Sequence, residues 1–155
     1  MDIFDQIIAG DIPSYKVYED DDVLAFLDIS QVTPGHTLVV PKKHVDDIFD
    51  YDAAVSEAVL LKLPMLARAI KASDPKITGM NISSNNGVSA GQTVRHSHWH
   101  LIPRYDDDNL TSRLAPTIDN SSQFSPERYQ AIATAITEAL EKESLPWFSL
   151  IKSNM

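Results

Sequence analysis

The sequence predicts an α+β fold, with about five strands in a mostly antiparallel sheet, one long helix and a C-terminal helix. Short strand-like segments lie on both sides of a helical pattern at 53–72, and a second helical pattern begins near residue 125. His96, His98 and His100 alternate along the chain. Side chains two residues apart share one side of a strand but not of a helix, so this run also predicts a strand.

Five segments are predicted as strands from their β-branched and apolar residues and from the turn residues that bound them. They are 15–19, 23–29, 36–40, 77–85 and 94–102. The first two are expected to form a hairpin across an acidic turn. Pro41 and Pro103 are expected to end the third strand and the histidine strand, because proline cannot donate a hydrogen bond to a neighbouring strand.

Helical patterns lie in three parts of the chain. Residues 2–9 predict a short helix with Asp2 as its N-cap. The pattern over 53–72 places apolar residues at steps of three and four, and Pro64 inside it is expected to cause a kink or a break. A C-terminal helix and an apolar tail are predicted over about 125–151.

Length and composition limit the class of protein. A chain of 155 residues with 43% hydrophobic content is expected to form one globular domain, 1–155. It has no cysteine, which excludes disulfides and thiolate metal sites. It shows no leader-like N-terminus and no apolar run near the ~20 residues that span a bilayer, so we expect a cytoplasmic protein with no membrane contact. A net charge of -9 argues against binding a nucleic-acid polymer, although not against a small phosphate ligand.

Three imidazoles on one strand face suit either of two chemistries. The first is a metal site of the zinc or copper type. The usual companions of such a site are missing, because Pro103 and Arg104 stand where a carboxylate ligand would be expected and Leu101-Ile102 follow the last histidine. We therefore favour the second chemistry, which is nucleophilic catalysis on phosphorus.

A neutral histidine is a nucleophile at cytoplasmic pH, because its ordinary pKa is near ~6.5. One ring nitrogen can take a phosphoryl group while the other donates to a backbone carbonyl, and neighbouring imidazoles can donate to the phosphate oxygens. Backbone N–H groups of a glycine-bearing loop are the expected supplement. The polar loop 85–92 leads directly into the histidine run.

The chain resembles the histidine-triad (HIT) family of nucleotide-binding proteins. The family motif is His-φ-His-φ-His-φ-φ, with φ apolar, and residues 96–102 match it except at Ser97. The resemblance runs from about Phe4 to Tyr105, which is the expected core at about 4–105. Further matching segments are 7–13, 23–29, 33–44 and 91–94.

The resemblance implies roles for four histidines. His98 matches the family's nucleophile, and His100 matches the histidine that contacts the phosphate. His96 matches the first histidine of the motif, which helps to hold the hydrogen-bond network of the site. His36 resembles an additional histidine beside the phosphate.

The resemblance also implies a set of nucleotide-binding residues, in which Phe26, Asp28 and Ile29 lie near the ribose and base. Phe26 and Ile29 fit plain core equally well. The residues that match the family's cradle for the α-phosphate are Asn85, Gly91, Gln92 and Thr93.

Many bacterial relatives carry a Cys-x-x-Cys pair near the N-terminus that binds zinc together with two histidines. Here Asp2 and Asp5 stand at that spacing. Carboxylates are harder ligands than thiolates, so no metal and no other cofactor is expected, and His44 is not expected to be a ligand. Whether Asp2 and Asp5 with His44 bind any metal is left open at this point.

The activity implied by the resemblance is hydrolysis of a small-molecule nucleotide at its α-phosphate, with a purine nucleoside phosphoramidate as the favoured substrate. Two alternatives stay open, a dinucleoside polyphosphate hydrolase and a nucleotide-binding interaction protein with vestigial activity. The resemblance also implies a homodimer with a ten-stranded sheet. The expected contacts at the two-fold axis of this dimer are three residues of the long helix outside its main apolar stripe, Leu60, Leu61 and Met65.

Overall fold

The predicted α+β class is confirmed by the computed structural model, which describes residues 1–111 and 118–142. One five-stranded sheet has the order β1-β2-β3-β5-β4, and every neighbouring pair is antiparallel. The elements are α1 Ile3–Ala9, β1 Lys16–Glu19, β2 Val23–Leu27, β3 Thr37–Pro41, α2 Ala53–Leu60, α3 Lys62–Ser73, β4 Ile77–Ser83, β5 Trp99–Tyr105 and α4 Pro126–Lys142. The predicted apolar tail after residue 142 lies outside the described residues. No helix within the described ranges is long and apolar enough to cross a membrane.

The two faces of the sheet are covered differently. In β2, Val23, Ala25 and Leu27 point into the large core that α3 and α4 cover, while Leu24 and Phe26 point into a smaller core beneath α1. This follows from the period of two along a strand, and it explains why every residue of β2 is buried. The smaller core lies on the face that also carries the histidines.

The predicted break in the long helix is confirmed. The pattern over 53–72 forms two helices, α2 and α3, which meet at Leu61. Proline disrupts the hydrogen bond to the carbonyl four residues earlier, and for Pro64 this carbonyl belongs to Leu60, the last residue of α2. The break therefore falls one turn before the proline.

The prediction that Pro103 ends the histidine strand is wrong. β5 continues through Pro103 to Tyr105, and Pro103 is paired with Met80 of β4. The carbonyl of Pro103 accepts a hydrogen bond from the Thr33 hydroxyl, on the side of β5 that faces β3. β3 does not extend this far, because its first residue, Thr37, pairs with Leu101. The N–H that proline lacks would face this same side, so no ladder hydrogen bond is lost.

Helix α1 is held in place at both ends. Asp2 and Asp5 form a capping box, in which each carboxylate accepts from the backbone N–H of the other residue. Gly10 closes the helix in the left-handed conformation, with φ of 85°. These caps define the ends of the short helix, while Phe4 and Ile7 pack it against the sheet face on which the histidines lie.

Replacement of Gly35 by alanine is expected to destabilise the fold by about 2 kcal/mol or more. Gly35 has φ of 99°, and a Cβ atom there would lie 3.1 Å from Cγ of Pro103, in the buried contact between the turn and β5. Gly10→Ala is the matched control, because Gly10 has a similar φ but no atom within 4 Å of the added Cβ. Urea unfolding of both variants measures the difference, and equal losses would contradict the role given to Pro103.

Candidate active site

All five histidines of the chain form one continuous cluster on the α1 side of the sheet. The ring centroids of His44 and His96 are 4.9 Å apart, and those of His98 and His100 are 5.2 Å apart. His36 completes one end, 5.2 Å from His100. The ring of Phe4 in α1 lies between the two halves, 5.9 Å from His96 and 4.9 Å from His98.

The strand predicted over 94–102 begins later in the structure than the sequence predicted. β5 begins at Trp99, so of the three motif histidines only His100 lies in the sheet, while His96 and His98 lie in the irregular segment before it. Two hydrogen bonds hold this segment. The N–H of Ser97 donates to the carbonyl of Val45 at 2.8 Å, and the hydroxyl of Ser84 donates to the carbonyl of His98 at 2.8 Å.

The hydrogen bonds of His98 define its tautomer. Its Nδ1 lies 2.8 Å from the carbonyl oxygen of His96, which can only accept, so Nδ1 carries the hydrogen and Nε2 has a free lone pair. Burial lowers the pKa of His98 below the ordinary value of 6.5. The ring is therefore neutral at pH 7, with Nε2 as its nucleophilic atom.

A relay of hydrogen bonds sets the tautomers of His36 and His100. The N–H of Val32 donates to Nδ1 of His36 at 3.2 Å, so the hydrogen of the neutral His36 ring is on Nε2. This Nε2 lies 2.9 Å from Nδ1 of His100 and donates to it. His100 therefore carries its own hydrogen on Nε2, where it is available as a donor.

Burial also keeps these two rings neutral. It lowers the pKa of His36 to about 4, although the nearby Asp28 carboxylate acts in the opposite direction. It lowers the pKa of His100 to about 3, and repulsion from the protonated forms of His36 and His98 acts in the same direction. At neutral pH the relay consequently has a single direction, from the Val32 amide through His36 to His100.

A cavity of about 320 Å³ opens beside His98 and His100. Six of the residues predicted for the site line it: His98, His100, Asp28, Asn85, Gly91 and Thr93. Five further residues line it that the sequence reasoning did not single out: Ile3, Phe4, Ser30, Leu38 and Val94. Ile3 and Phe4 belong to α1, where an apolar helix stripe indicated only core packing.

Five of the predicted residues do not line the cavity. His36 and His96 are fully buried behind it. Phe26 is buried beneath α1, where its ring packs on Phe4 at 5.9 Å, and it is therefore core. Ile29 is 62% exposed. Gln92 is buried. Its Oε1 accepts from the N–H of Gly87, and its Nε2 donates to the carbonyls of Asp46 and Val94, so that the side chain stabilises the conformation of the loop.

The departure from the motif at Ser97 has a local explanation. Ser97 is buried, and its hydroxyl lies 2.8 Å from the hydroxyl of Tyr51. The indole N–H of Trp99 donates to the same tyrosine oxygen at 3.2 Å. Serine is thus accommodated at an apolar position because Tyr51 provides a hydrogen-bond partner, which ties the segment between His96 and His98 to the chain before α2.

Within the described part of the chain, two groups of side chains have the residue types of a metal site. In the first, Asp28, His36 and His100 lie close together, but the two imidazoles already share a hydrogen bond. The second group is the Asp2, Asp5, His44 and His96 cluster, in which one ligand atom from each residue lies within 4.8 Å of every other. Its donors, two carboxylates and two imidazoles, fit a divalent cation.

The comparisons with known proteins identify the family of this chain. A family model described as "HIT domain" matches residues 9–107, and the chain belongs to this family. "Protein hit" of Bacillus subtilis is 46% identical over 138 residues, which cover 89% of this chain and 93% of the relative. "Adenylylsulfatase HINT3" of Arabidopsis thaliana is 39% identical over 111 residues, covering 70% of this chain and 54% of the relative.

Among solved structures, a hypothetical histidine triad nucleotide-binding protein from Sulfolobus tokodaii has a TM-score of 0.79 to this chain at 31% identity. The match covers 91% of this chain and 93% of that one. The five-stranded α+β fold is thus the fold of HIT proteins, and the family is one of nucleotide-binding proteins that includes hydrolases.

Loss of the Tyr51 hydroxyl is expected to cost about 1–3 kcal/mol of unfolding free energy, because Ser97 and Trp99 then lose a shared partner in a largely buried place. Tyr51→Phe, Ser97→Ala and the double variant form a double-mutant cycle, measured by denaturant unfolding. The double variant is expected to lose less than the sum of the single losses. Strictly additive losses would show that the two hydroxyls do not interact.

Proposed function

We propose that this protein is a nucleotide hydrolase in which Nε2 of His98 attacks the α-phosphorus of the substrate. The observation that carries the proposal is the tautomer of His98. A ring held neutral by burial, with Nδ1–H bound to a carbonyl and Nε2 free beside a cavity, has the features required of an imidazole nucleophile.

Attack forms a bond between Nε2 and phosphorus, and the bond from phosphorus to the leaving group breaks. The product is a nucleotidyl-histidine. A phosphoramidate releases an amine, whose nitrogen takes up one proton, whereas a dinucleoside polyphosphate releases a nucleotide. Water then attacks the same phosphorus and gives up one proton, the phosphorus–nitrogen bond breaks, and a nucleoside monophosphate leaves while His98 regains its lone pair. The two steps need one nucleophile and a group that stabilises charge on the phosphate oxygens.

The second requirement is met by the other residues that line the cavity. His100 offers a donor hydrogen on Nε2, aligned by the His36 relay. Gly91, Thr93 and Asn85 lie in the wall of the same cavity and are proposed to bind the phosphate. Gly91 has φ of 92°, a left-handed backbone conformation that favours glycine.

Asp28 is proposed to bind the ribose. One of its carboxylate oxygens accepts from the N–H of Ser30 at 2.8 Å, and the other lies 3.5 Å from Nε2 of His36. It lines the cavity together with the apolar side chains of Ile3, Phe4 and Leu38, which offer a surface for a base. Ile29 is exposed and Phe26 is buried, and neither lines this cavity, so their contacts with the base stay predictions.

The favoured substrate class is the purine nucleoside phosphoramidates. This choice rests on the resemblance to the family branch that hydrolyses them, and the adenylylsulfatase among the relatives is a hydrolase of a related adenylylated compound. Dinucleoside polyphosphates are the second candidate, because the run from Gly91 to His96 resembles the family branch that cleaves them. A nucleotide-binding protein with vestigial activity is the alternative from another class.

The His98→Ala variant is expected to fold and to bind adenosine monophosphate, yet to form no nucleotidyl-enzyme. Wild-type protein mixed with adenosine phosphoramidate and quenched is expected to gain the mass of one nucleotide. His100→Ala is expected to form some adduct, with a rate lower by ~10²–10³ because one charge-stabilising donor is lost. Intact-mass spectrometry of the quenched mixtures measures all three.

Two outcomes would contradict the proposal. One is a one-nucleotide adduct on His98→Ala, or an adduct on wild-type protein that maps to another histidine. The other is the absence of adduct and of turnover in wild-type protein that binds adenosine monophosphate, which would favour the binding protein with vestigial activity.

We further propose that two copies join through β4 and the α2–α3 junction. β4 is an edge strand of seven residues, while the other edge strand, β1, has four. An unpaired edge of this length is a template for pairing with a second sheet. Ile82 on β4 is 46% exposed and Leu61 at the junction is 51% exposed. The predicted contact by Met65 is wrong, because Met65 is fully buried in the core.

Light scattering at micromolar protein concentrations is expected to give the mass of a dimer for the wild-type protein. Leu61→Asp places a charge on the proposed surface and is expected to shift the mass towards the monomer. Phe49→Asp is the control, since Phe49 is 82% exposed in a 3₁₀ turn outside β4 and the junction. A monomer mass for wild type, or equal effects of the two substitutions, would overturn the proposed surface.

A further inference from the structure

We propose that Gln31 and Asn120 are positioning residues that hold the peptide groups on both sides of Val32. The N–H of Val32 then meets Nδ1 of His36. This inference rests on the proposed function, because it names the groups that make His100 a donor to the phosphate. Neither Gln31 nor Asn120 lines the cavity, so both act through other residues. The property that they control, the tautomer of a buried ring, can be measured without a substrate.

The side chain of Gln31 is fully buried inside the loop that connects β2 to β3. Its Nε2 donates to the carbonyls of Asp28 at 2.5 Å and His36 at 2.7 Å, and its Oε1 accepts from the N–H of Gly35 at 2.8 Å. The carbonyls can only accept and the N–H can only donate, so the surroundings require this orientation of the amide. All three partners are backbone groups of the same loop, which the side chain therefore holds closed.

The backbone of Gln31 adopts a conformation that residues with a Cβ atom rarely take. Its φ is 42°, in the left-handed region, and such a conformation persists only where surrounding contacts hold it. The peptide that follows carries the N–H of Val32, which donates to Nδ1 of His36 at 3.2 Å. The backbone angles of Gln31 orient this peptide. The three hydrogen bonds of its side chain therefore also direct the Val32 N–H towards the imidazole.

Asn120 holds the other side of Val32 from a part of the chain that the family model does not match. Its Nδ2 donates to the carbonyl of Val32 at 3.1 Å, and its backbone N–H donates to the carbonyl of Ser30 at 2.7 Å. The hydroxyl of Tyr129, in α4, donates to the carbonyl of Ile29. Three carbonyls of the loop thus have partners in or just before α4, and these partners fix the loop against the helix.

The Val32 N–H decides what His100 can offer to a phosphate. With a donor at Nδ1, the neutral His36 ring carries its hydrogen on Nε2 and donates it to Nδ1 of His100 at 2.9 Å. Without that donor, His36 can carry its hydrogen on Nδ1, and its Nε2 becomes an acceptor. The hydrogen of His100 then moves to Nδ1, and its Nε2 loses the hydrogen that would reach the substrate.

Long-range 1H–15N NMR of the histidine rings tests the proposal, since the protonated and unprotonated nitrogens of a neutral ring differ in 15N shift. Wild-type His36 is expected to carry its hydrogen on Nε2. Gln31→Met keeps the length of the side chain without its donors and acceptor, and Asn120→Ala removes the donor to the Val32 carbonyl. Both variants are expected to populate the second His36 tautomer, Gln31→Met more strongly. The exchange is expected to be partial, because the Asp28 carboxylate, 3.5 Å from Nε2 of His36, favours the original tautomer.

Gln92→Met is the matched control. Gln92 is also a buried glutamine that donates to two backbone carbonyls and accepts from one backbone N–H. Its removal is expected to lower stability in a similar way, but its hydrogen bonds reach none of the groups around Val32. The His36 tautomer is therefore expected to stay as in wild type, so that a general loss of stability would not explain a change seen in the other two variants.

Hydrolysis of adenosine phosphoramidate measures the consequence for the reaction. The kcat of Gln31→Met is expected to fall about tenfold or more, but less than the ~10²–10³ expected for loss of the whole His100 donor, because part of the population keeps it. Binding of adenosine monophosphate is expected to weaken less than kcat falls, since the donor acts on charge that develops in the transition state.

Four results would overturn the proposal. They are a wild-type His36 ring with its hydrogen on Nδ1, an unchanged tautomer in both Gln31→Met and Asn120→Ala, the same change in Gln92→Met, and a changed tautomer with unchanged kcat. Asn120 is only partly buried, so Asn120→Ala decides the result if Gln31→Met does not fold. The ring spectra need no turnover, so these results are distinct from a failure of the proposed function, in which wild-type protein forms no nucleotidyl-enzyme.

Discussion

The site depends on hydrogen bonds to backbone groups that can act in only one direction. The carbonyls of His96 and Pro41 can only accept, and the amide of Val32 can only donate. Each therefore decides which nitrogen of a histidine carries the hydrogen. Because burial keeps His36, His98 and His100 neutral, these tautomers persist at physiological pH. The free nitrogen of His98 follows from the His96 carbonyl, and the donor hydrogen of His100 follows from the Val32 amide through His36.

The sheet positions the segments that carry those backbone atoms, of which only Pro41 is itself a strand residue. Pairing of β3 with β5 sets His36, just before β3, beside His100. The end of β3 at Pro41 brings its carbonyl to His96, which is far away in the chain. Helix α1 then covers this face, and the ring of Phe4 lies against His96 and His98. The antiparallel sheet, the short helix α1 and the loop hydrogen bonds of Ser97 and Ser84 together order the imidazoles.

Helix α1 links the two groups of histidines. Its cap residues Asp2 and Asp5 face His44 and His96, while Ile3 and Phe4 line the cavity beside His98. A seven-residue helix has little stability of its own, so its position depends on its caps and on the smaller core. Any interaction that strengthens its attachment at Asp2 and Asp5 also fixes one wall of the cavity.

The sequence by itself determined the fold class, the number of strands, the N-cap of α1 and the interruption of the long helix near Pro64. These features follow from local periodicity, cap residues and proline geometry, which a single segment contains. The extent of the histidine strand could not be obtained in this way. Whether Pro103 is tolerated depends on where β3 ends, and this is a property of the partner strand.

Only the tertiary structure decided which predicted residues meet in the cavity. Phe26 and Gln92 belong to the expected set by position, yet one packs in the core beneath α1 and the other shapes a loop from within. The approach of Asp2 and Asp5 to His44 and His96 likewise joins segments separated by tens of residues. Local sequence determines the conformation of each segment, whereas tautomers, burial and ligand distances depend on atoms that distant segments bring together.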